Sequence, residues 1–368
     1  MYNNDFLSQE DYTAIRKSQI QGPNGWLLFI ACNSGIDLAT KVKKEYEEHL
    51  KRKKSDFKEI PLLIKDENGQ FITSKFNDGE TRPRLPAHVA GANAYVFSNL
   101  SSLNTNSDVN DNIHQLLQMM WTLKGQRTHN ITAVTPYLPY SRQDKPSFGK
   151  REASLSNHLA KIMIASGMNN LITYHLHTEA IKGFYEPHGI VALSGLDLFW
   201  DIFKEMKGDK KTVCVSTDAG GAKYNIAYAT KLSLDYAIMN KFRPRDQHAD
   251  VLGIVGSLNG KTTAIITDDE TVSAKSAVNA IEVLNQKYGI EQTYLAISHN
   301  KIGSEGKDRL INAYKHHGLK EFHVTDSIPQ TEEVTSLPFI KVHPLANILA
   351  CTINRMHYNQ SISKIFHR

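Results

Sequence analysis

Asp268 and Asp269 stand side by side at the end of the apolar run 261–267, and a turn of small and hydroxylated residues follows them. That turn holds Ser273, Ala274, Lys275 and Ser276 and leads into a helical pattern. Hydroxyls and open backbone N–H groups at a helix start can cradle an anion, and carboxylates beside them can hold sugar hydroxyls. The combination suits a sugar phosphate. A strand, a turn and an Asp-capped helix would use the same residues with no ligand at all.

Other apolar runs end in related chemistry. Asp218, Gly220 and Gly221 follow 211–217. Adjacent glycines let a backbone approach a phosphate closely, and a plain tight turn needs them equally. His175 and His177 close the run 170–176. In a continuing strand they share a face, which opens a metal reading, zinc included, beside that of a hydrogen-bonded core histidine. Arg142, Asp144, Lys145, Lys150 and Arg151 follow 130–137, with Tyr140 among them. Such cations suit a polyphosphate, and the aromatic suits a base. Lys241, Arg243 and Arg245 lie on a charged loop after 235–240, where cations can be brought over a reacting phosphoryl group. Each feature alone also describes a solvated turn. Five anion-friendly strand ends in one chain favour phosphate chemistry.

The elements that must position these residues alternate. Strands are expected at 25–32, 93–98, 130–137, 170–176, 211–217, 235–240, 261–267, 292–298 and 321–325. Several are unbroken apolar runs, as in parallel strands covered on both faces. Helices are expected between them. In 152–166, Leu155, Leu159, Ile162 and Met163 share one face, and Gly167 offers a stop. The segment 112–124 reads the same way. This rhythm predicts an α/β protein of two domains, each with a mainly parallel sheet flanked by helices. The boundary is expected near residue 165, giving an extension at 1–24, a first domain at 25–165 and a second at 166–343. The C-terminal stretch 344–368 is expected to pack back on the first.

A length of 368 residues agrees with two cores. The net charge of +5 is compatible with anionic substrates and too small to argue for nucleic acid. Cys32, Cys214 and Cys351 lie far apart in apolar surroundings and read as core residues of a reducing compartment. No apolar run is long enough to span a membrane, and the polar start is unlike a signal peptide, so a cytoplasmic protein is expected.

Several stretches together carry a resemblance: 75–80 (KFNDGE), 139–145 (PYSRQDK), 177–185 (HTEAIKGFY), 217–223 (TDAGGAK), the Lys241-x-Arg243 pair and 324–329 (VTDSIP). In this order they resemble the ribose-phosphate pyrophosphokinases, from about residue 26 to the end. The resemblance implies two phosphoribosyltransferase-like domains and assembly into homo-oligomers, hexameric or dimer-based. It implies Mg²⁺-dependent transfer of the β,γ-diphosphoryl group of ATP to the anomeric hydroxyl of ribose 5-phosphate, releasing AMP. Phe76, Asp78 and Glu80 would meet adenine, and Arg142, Gln143 and Asp144 would hold ATP. His177 and Asp218 would sit at the metal ion, with Lys241 and Arg243 over the transferring group and His177 among the catalytic residues. Asp268 and Asp269 would hold the ribose hydroxyls. Residues 273–276 would hold the 5-phosphate, with Gly220 and Gly221 close by.

The chain departs from the family pattern where the opening motif lies. That pattern is roughly Asp-Asp-x-x-Asp-Thr-Gly-Gly-Thr, and here Val272 replaces the third acid while Lys275 occupies a glycine position. A family Asp-Leu-His becomes His175-Leu176-His177, and two glutamines become Ala180 and Lys182. Three readings follow. The first is drift within a ribose 5-phosphate enzyme. The second is a larger 5-substituted acceptor such as ADP-ribose, whose additional phosphate would pair with Lys275. The third is a non-catalytic regulatory relative, against which stand the retained Lys241, Arg243, Asp218, His177 and paired acids. An ordinary phosphoribosyltransferase would not need the adenine-side motifs, and a zinc hydrolase lacks further ligand spacing.

Overall fold

The computed structural model describes residues 7–53, 58–105, 107–242 and 251–366. The chain divides into two compact units, residues 1–193 with 345–368 and residues 194–344.

The first unit is built on a seven-stranded sheet. Its spatial order is Gln21–Gly22, Gly25–Ala31, Ala92–Phe97, Asn130–Val134, Asn170–Tyr174 and Gly189–Leu193, with Leu62–Leu63 also paired to Gly25–Ala31. All pairings are parallel except that of Gln21–Gly22. Every residue of Ala92–Phe97 is buried, as a central parallel strand covered on both faces requires. Helix Val109–Gly125 is started by the Asp108 carboxylate, which accepts from the N–H groups of Asn110 and Asp111. Helix Leu155–Ala165 is started by the Ser154 hydroxyl, and Gly167 leaves it at φ +105°. Met119, Met120, Leu159 and Met163 pack from these helices on Val96 and Ala133 of the sheet.

The division falls between Leu193 and Ser194, not near residue 165. The reason is strand pairing: Asn170–Tyr174 joins Asn130–Val134, and Gly189–Leu193, a strand the apolar pattern did not reveal, joins it in turn. Helix Ala346–His357 belongs to the same unit, where Asn354 donates to the buried Tyr46 hydroxyl at 2.8 Å. The buried His357 imidazole also faces Asn93 of the sheet at 3.1 Å.

The second unit has a seven-stranded sheet in the order Val251–Val255, Asp235–Phe242, Thr212–Ser216, Thr263–Thr271, Gln292–Asn300, Leu319–Thr325 and Ile340–His343. Only Val251–Val255 runs antiparallel to its neighbour. From Thr212–Ser216 the chain first moves to one side of the sheet and then returns to Thr263–Thr271 on the other. That reversal leaves a crevice outside the carboxyl ends of these two strands, the usual ligand position in open α/β sheets.

Candidate active site

The crevice of the second unit is where Asp218 and Asp268 meet. Val215 pairs with Ile266, so the next residues along bring Thr217 level with Asp268. The Thr217 hydroxyl donates to Asp268 Oδ2 at 3.2 Å, and the Asp269 N–H donates to Asp268 Oδ1 at 2.9 Å. Burial raises the Asp268 pKa well above the ordinary carboxylate value, and the negative charges of Asp269 and Asp218 add to the shift. A carboxylate so crowded favours any ligand that brings hydrogen-bond donors or positive charge.

Asp218 opens the turn into helix Ala222–Leu232. Its Oδ1 accepts from the Gly221 N–H at 3.0 Å, and its carbonyl accepts from the Ser216 hydroxyl at 2.7 Å. The two glycines serve this close approach. A Cβ on Gly221 would lie 2.9 Å from Ser216 Oγ, and one on Gly220 would lie 3.2 Å from Asp218 Oδ1.

The paired acids do not end their strand. Thr263–Thr271 continues through Asp268 and Asp269, with Glu270 opposite His299 and Thr271 opposite Asn300. Glu270 turns to Lys301, 2.8 Å away, and both side chains are largely buried. The helix Lys275–Tyr288 is entered not from an aspartate cap but from Ala274 in the left-handed region, at φ +56°. The Ala274 N–H donates to Thr271 Oγ1 at 3.2 Å. Ala274 is buried, while Ser273, Lys275 and Ser276 are exposed. The turn 273–276 thus presents two hydroxyls and one cation at a helix start.

Lys241 lies on Asp235–Phe242, opposite Leu252 of the antiparallel neighbour. Arg243 and Arg245 lie outside the described residues.

In the first unit, Phe76, Asp78 and Glu80 form the exposed tip joining Thr73–Lys75 to Thr81–Pro83. The Phe76 N–H donates to the Glu80 carbonyl at 2.8 Å, and Gly79 supplies the φ of +95° that the turn needs. Phe76 is 48% exposed and has the Arg82 guanidinium 5.0 Å from its ring centre. A flat aromatic held in solvent with a cation beside it is a surface on which a base can stack.

Arg142 and Gln143 sit on the single turn Ser141–Gln143, entered from Tyr140 at φ +60°. Both are exposed. The Tyr140 hydroxyl reaches Asn110 Oδ1 at 2.6 Å, and the Ser154 hydroxyl holds the Asp144 carbonyl at 2.8 Å. Asp144 Oδ2 accepts from the Thr178 hydroxyl at 3.1 Å. The expected nucleotide loop and the His177 loop are therefore tied together through Thr178.

The two histidines do not share a face. Strand Asn170–Tyr174 ends before them, and His175 takes φ +42°, which breaks the alternation on which the pairing rested. His175 is buried, with its N–H donating to the Leu193 carbonyl at 2.7 Å, whereas His177 is exposed. Among the described residues, no three His, Cys, Asp or Glu side chains gather as a metal-holding group.

Sequence reading missed Thr217 and Thr178. Thr178 lay inside the motif 177–185, but its partner is 34 residues away. Thr217 headed the motif 217–223, but its bond to Asp268, 51 residues away, becomes visible only once strand register is known.

Two units, each with a mainly parallel sheet flanked by helices and polar residues at its carboxyl edge, define an α/β protein of the doubly wound kind. Residues 27–167 match the N-terminal domain of ribose phosphate pyrophosphokinase, and residues 241–367 match the phosphoribosyl synthetase-associated domain. The chain is 30% identical over 299 residues to the ribose-phosphate pyrophosphokinase of Burkholderia pseudomallei, covering 81% of this chain and 90% of that one. It is 31% identical over 311 residues to the ribose-phosphate pyrophosphokinase of Bacillus subtilis, covering 84% and 93%. The crystal structure of phosphoribosylpyrophosphate synthetase from Mycobacterium smegmatis superposes with a TM-score of 0.75 at 25% identity, covering 90% of this chain and 98% of that one. The chain belongs to the ribose-phosphate pyrophosphokinase family, a family of transferase enzymes.

Proposed function

We propose that the protein transfers the β,γ-diphosphoryl group of ATP to the anomeric hydroxyl of ribose 5-phosphate, giving phosphoribosyl diphosphate and AMP. The observation that carries this reading is the second unit's crevice, where a crowded Asp268 carboxylate, with Asp269, Asp218 and Thr217 about it, stands on the strand that leads into the hydroxyl-rich turn 273–276. Asp268 and Asp269 orient the ribose hydroxyls, while Ser273, Lys275 and Ser276 hold the 5-phosphate against the helix start. In the first unit, Phe76 stacks on adenine while Asp78 and Glu80 address its polar edge. Arg142, Gln143 and Asp144 hold the nucleotide. Lys241 and Arg243 place positive charge on the transferring group. Transfer of this kind asks for positioning and charge stabilisation, with no covalent nucleophile.

The donor chemistry fits a hard divalent cation, because carboxylate oxygens crowd one another around Asp218 and Asp268. Asp218 in the second unit, and separately His177 in the first, would be the residues to hold Mg²⁺, which would supply neutralisation of polyphosphate charge.

The second reading is a larger acceptor such as ADP-ribose. Lys275 favours it, standing exposed at the helix start where the family pattern has glycine. One assay separates the readings: incubate with ATP, Mg²⁺ and each acceptor, and weigh the products. AMP with diphosphorylated ribose 5-phosphate supports the first reading, and the corresponding ADP-ribose product supports the second. ADP alone, or no turnover with either acceptor, overturns transfer.

A homo-oligomer, hexameric or dimer-based, is part of the same proposal; a fully active monomer in a sizing experiment would remove it. So is a cytoplasmic location, with no nucleic-acid partner. No described helix is long and apolar enough to cross a membrane. Burial pushes the Cys32 and Cys214 thiols up to about 12, so both behave as packing groups.

A further inference from the structure

The acceptor turn has lost the glycines that make such a turn easy, yet Ala274 still adopts the left-handed conformation at φ +56°. For a residue with a Cβ this conformation is unfavourable and persists only where the surroundings enforce it. The surroundings lie on helix Ser304–His316. Arg309 Nη1 donates to the carbonyl of Ser273 at 2.9 Å, immediately before the strained residue. The Arg309 guanidinium is itself aimed by an ion pair with Glu305 one turn away. Gly306 of the same helix is buried, and a Cβ there would lie 2.6 Å from Ile302 Cγ2 and 3.2 Å from the Ser273 carbonyl carbon and oxygen. On the other side, the Lys301 N–H donates to the Thr271 carbonyl at 2.8 Å, and the Lys301 side chain holds Glu270.

We propose that Arg309 is a positioning residue for the acceptor phosphate, clamping the Ser273 carbonyl so that the glycine-poor turn 273–276 keeps the shape that binds. Gly306 makes the clamp possible by letting the helix come close, and Glu305 fixes the guanidinium. Without the clamp, Ala274 relaxes towards ordinary φ values and the helix-start donors lose their common aim. The proposal rests on the acceptor-site reading above, so its test has a readout that needs no substrate.

Hydrogen exchange of the Ala274 and Val278 amides, which donate to Thr271 Oγ1 and to the Ala274 carbonyl, is measured in the full chain for the wild type, Arg309→Ala, Arg309→Lys, Ala274→Gly and the Arg309→Ala/Ala274→Gly pair. Arg309→Ala should speed exchange in this turn about tenfold or more, the scale of one lost charge-assisted hydrogen bond, and leave strand Gln292–Asn300 unchanged. Arg309→Lys should restore part of the protection. Ala274→Gly removes the left-handed penalty, so the pair should exchange more slowly than Arg309→Ala alone. In kinetics with ribose 5-phosphate, Arg309→Ala should raise the acceptor KM about tenfold with little change in the ATP KM, and the pair should recover several-fold of that loss. Unchanged exchange in Arg309→Ala overturns the clamp. So does a rise in both KM values together, or no benefit from Ala274→Gly. If the wild type uses neither acceptor but the exchange pattern appears, the clamp stands and the acceptor reading falls.

Discussion

Asp268→Asn should make the protein more stable and less active at once. In the folded state burial raises the Asp268 pKa, with Asp269 and Asp218 adding to it. An acid whose pKa rises on folding contributes most stability while protonated, and that contribution is lost as pH climbs through the raised value. The asparagine amide carries no charge. It keeps an oxygen for the Asp269 N–H, which lies 2.9 Å from Asp268 Oδ1, and its NH2, in the place of Oδ2, can donate to the Thr217 hydroxyl oxygen. Above the raised pKa the substitution removes a repulsion worth about 1 kcal/mol, the upper end for a charge contact partly open to solvent. For a unit of this size that is about 2–4 °C in melting temperature. Below the ordinary value of 3.8 the wild-type carboxyl is protonated and the difference should vanish. If Asp268 holds the acceptor as proposed, activity should move the other way, because the carboxylate's charge-assisted bonds to the ribose hydroxyls would be lost. At about 1.5–3 kcal/mol, the acceptor kcat/KM should fall about 10- to 100-fold. Thermal melts from pH 4 to 8, paired with acceptor kinetics at pH 8, test both halves. A variant that is less stable at pH 8, or one stabilised equally at pH 4, would refute the idea that Asp268 is held against its preference. Unchanged acceptor kinetics would remove it from the binding site.

Lys241→Ala should lower turnover by about 10²–10³, the scale for one transition-state donor, with melting temperature unchanged; full turnover would make Lys241 a spectator. Lys275→Gly restores the residue type of the family pattern, and its effect on the two acceptors should differ. Improved ribose 5-phosphate use at the expense of ADP-ribose assigns the lysine to the second phosphate of a larger acceptor, while equal loss for both assigns it to general phosphate attraction. Lys261 is a structural counterpart, 8% exposed, with its ammonium group donating to the carbonyls of Lys210 at 2.7 Å and Thr212 at 3.3 Å and pairing with Asp235. Lys261→Ala should destabilise by about 3 kcal/mol in denaturant unfolding, since it strips the donor from those carbonyls; a loss under 1 kcal/mol would show that water replaces it.

Much of the fold was legible because parallel strands announce themselves. Ala92–Phe97 and Thr212–Ser216 are buried at every position, and such runs stand out against amphipathic helices. The strands that escaped notice include the sheet-edge strands Gly189–Leu193, Val251–Val255 and Ile340–His343. Gly189–Leu193 has one buried residue in five, and Ile340–His343 has one in four. Missing the first of them placed the domain boundary too early. The candidate site residues were chosen by type and order, and their geometry could not be read that way. His175 and His177 were assigned to one face because a strand was assumed to continue, and a single left-handed residue broke that assumption.

The sequence by itself determined which chemical groups end the strands, because apolar runs and the residues after them are read directly along the chain. It also determined the family, since ordered motifs survive divergence. Only the tertiary structure decided which of those groups meet. Asp268 acquires its raised pKa from burial and from Asp269 and Asp218, while Asp144 is tied to Thr178. Ala274 stands beside a carbonyl held by an arginine 36 residues further along. Such contacts depend on strand register and on how closely a helix can approach, and both follow from packing among residues far apart in the chain.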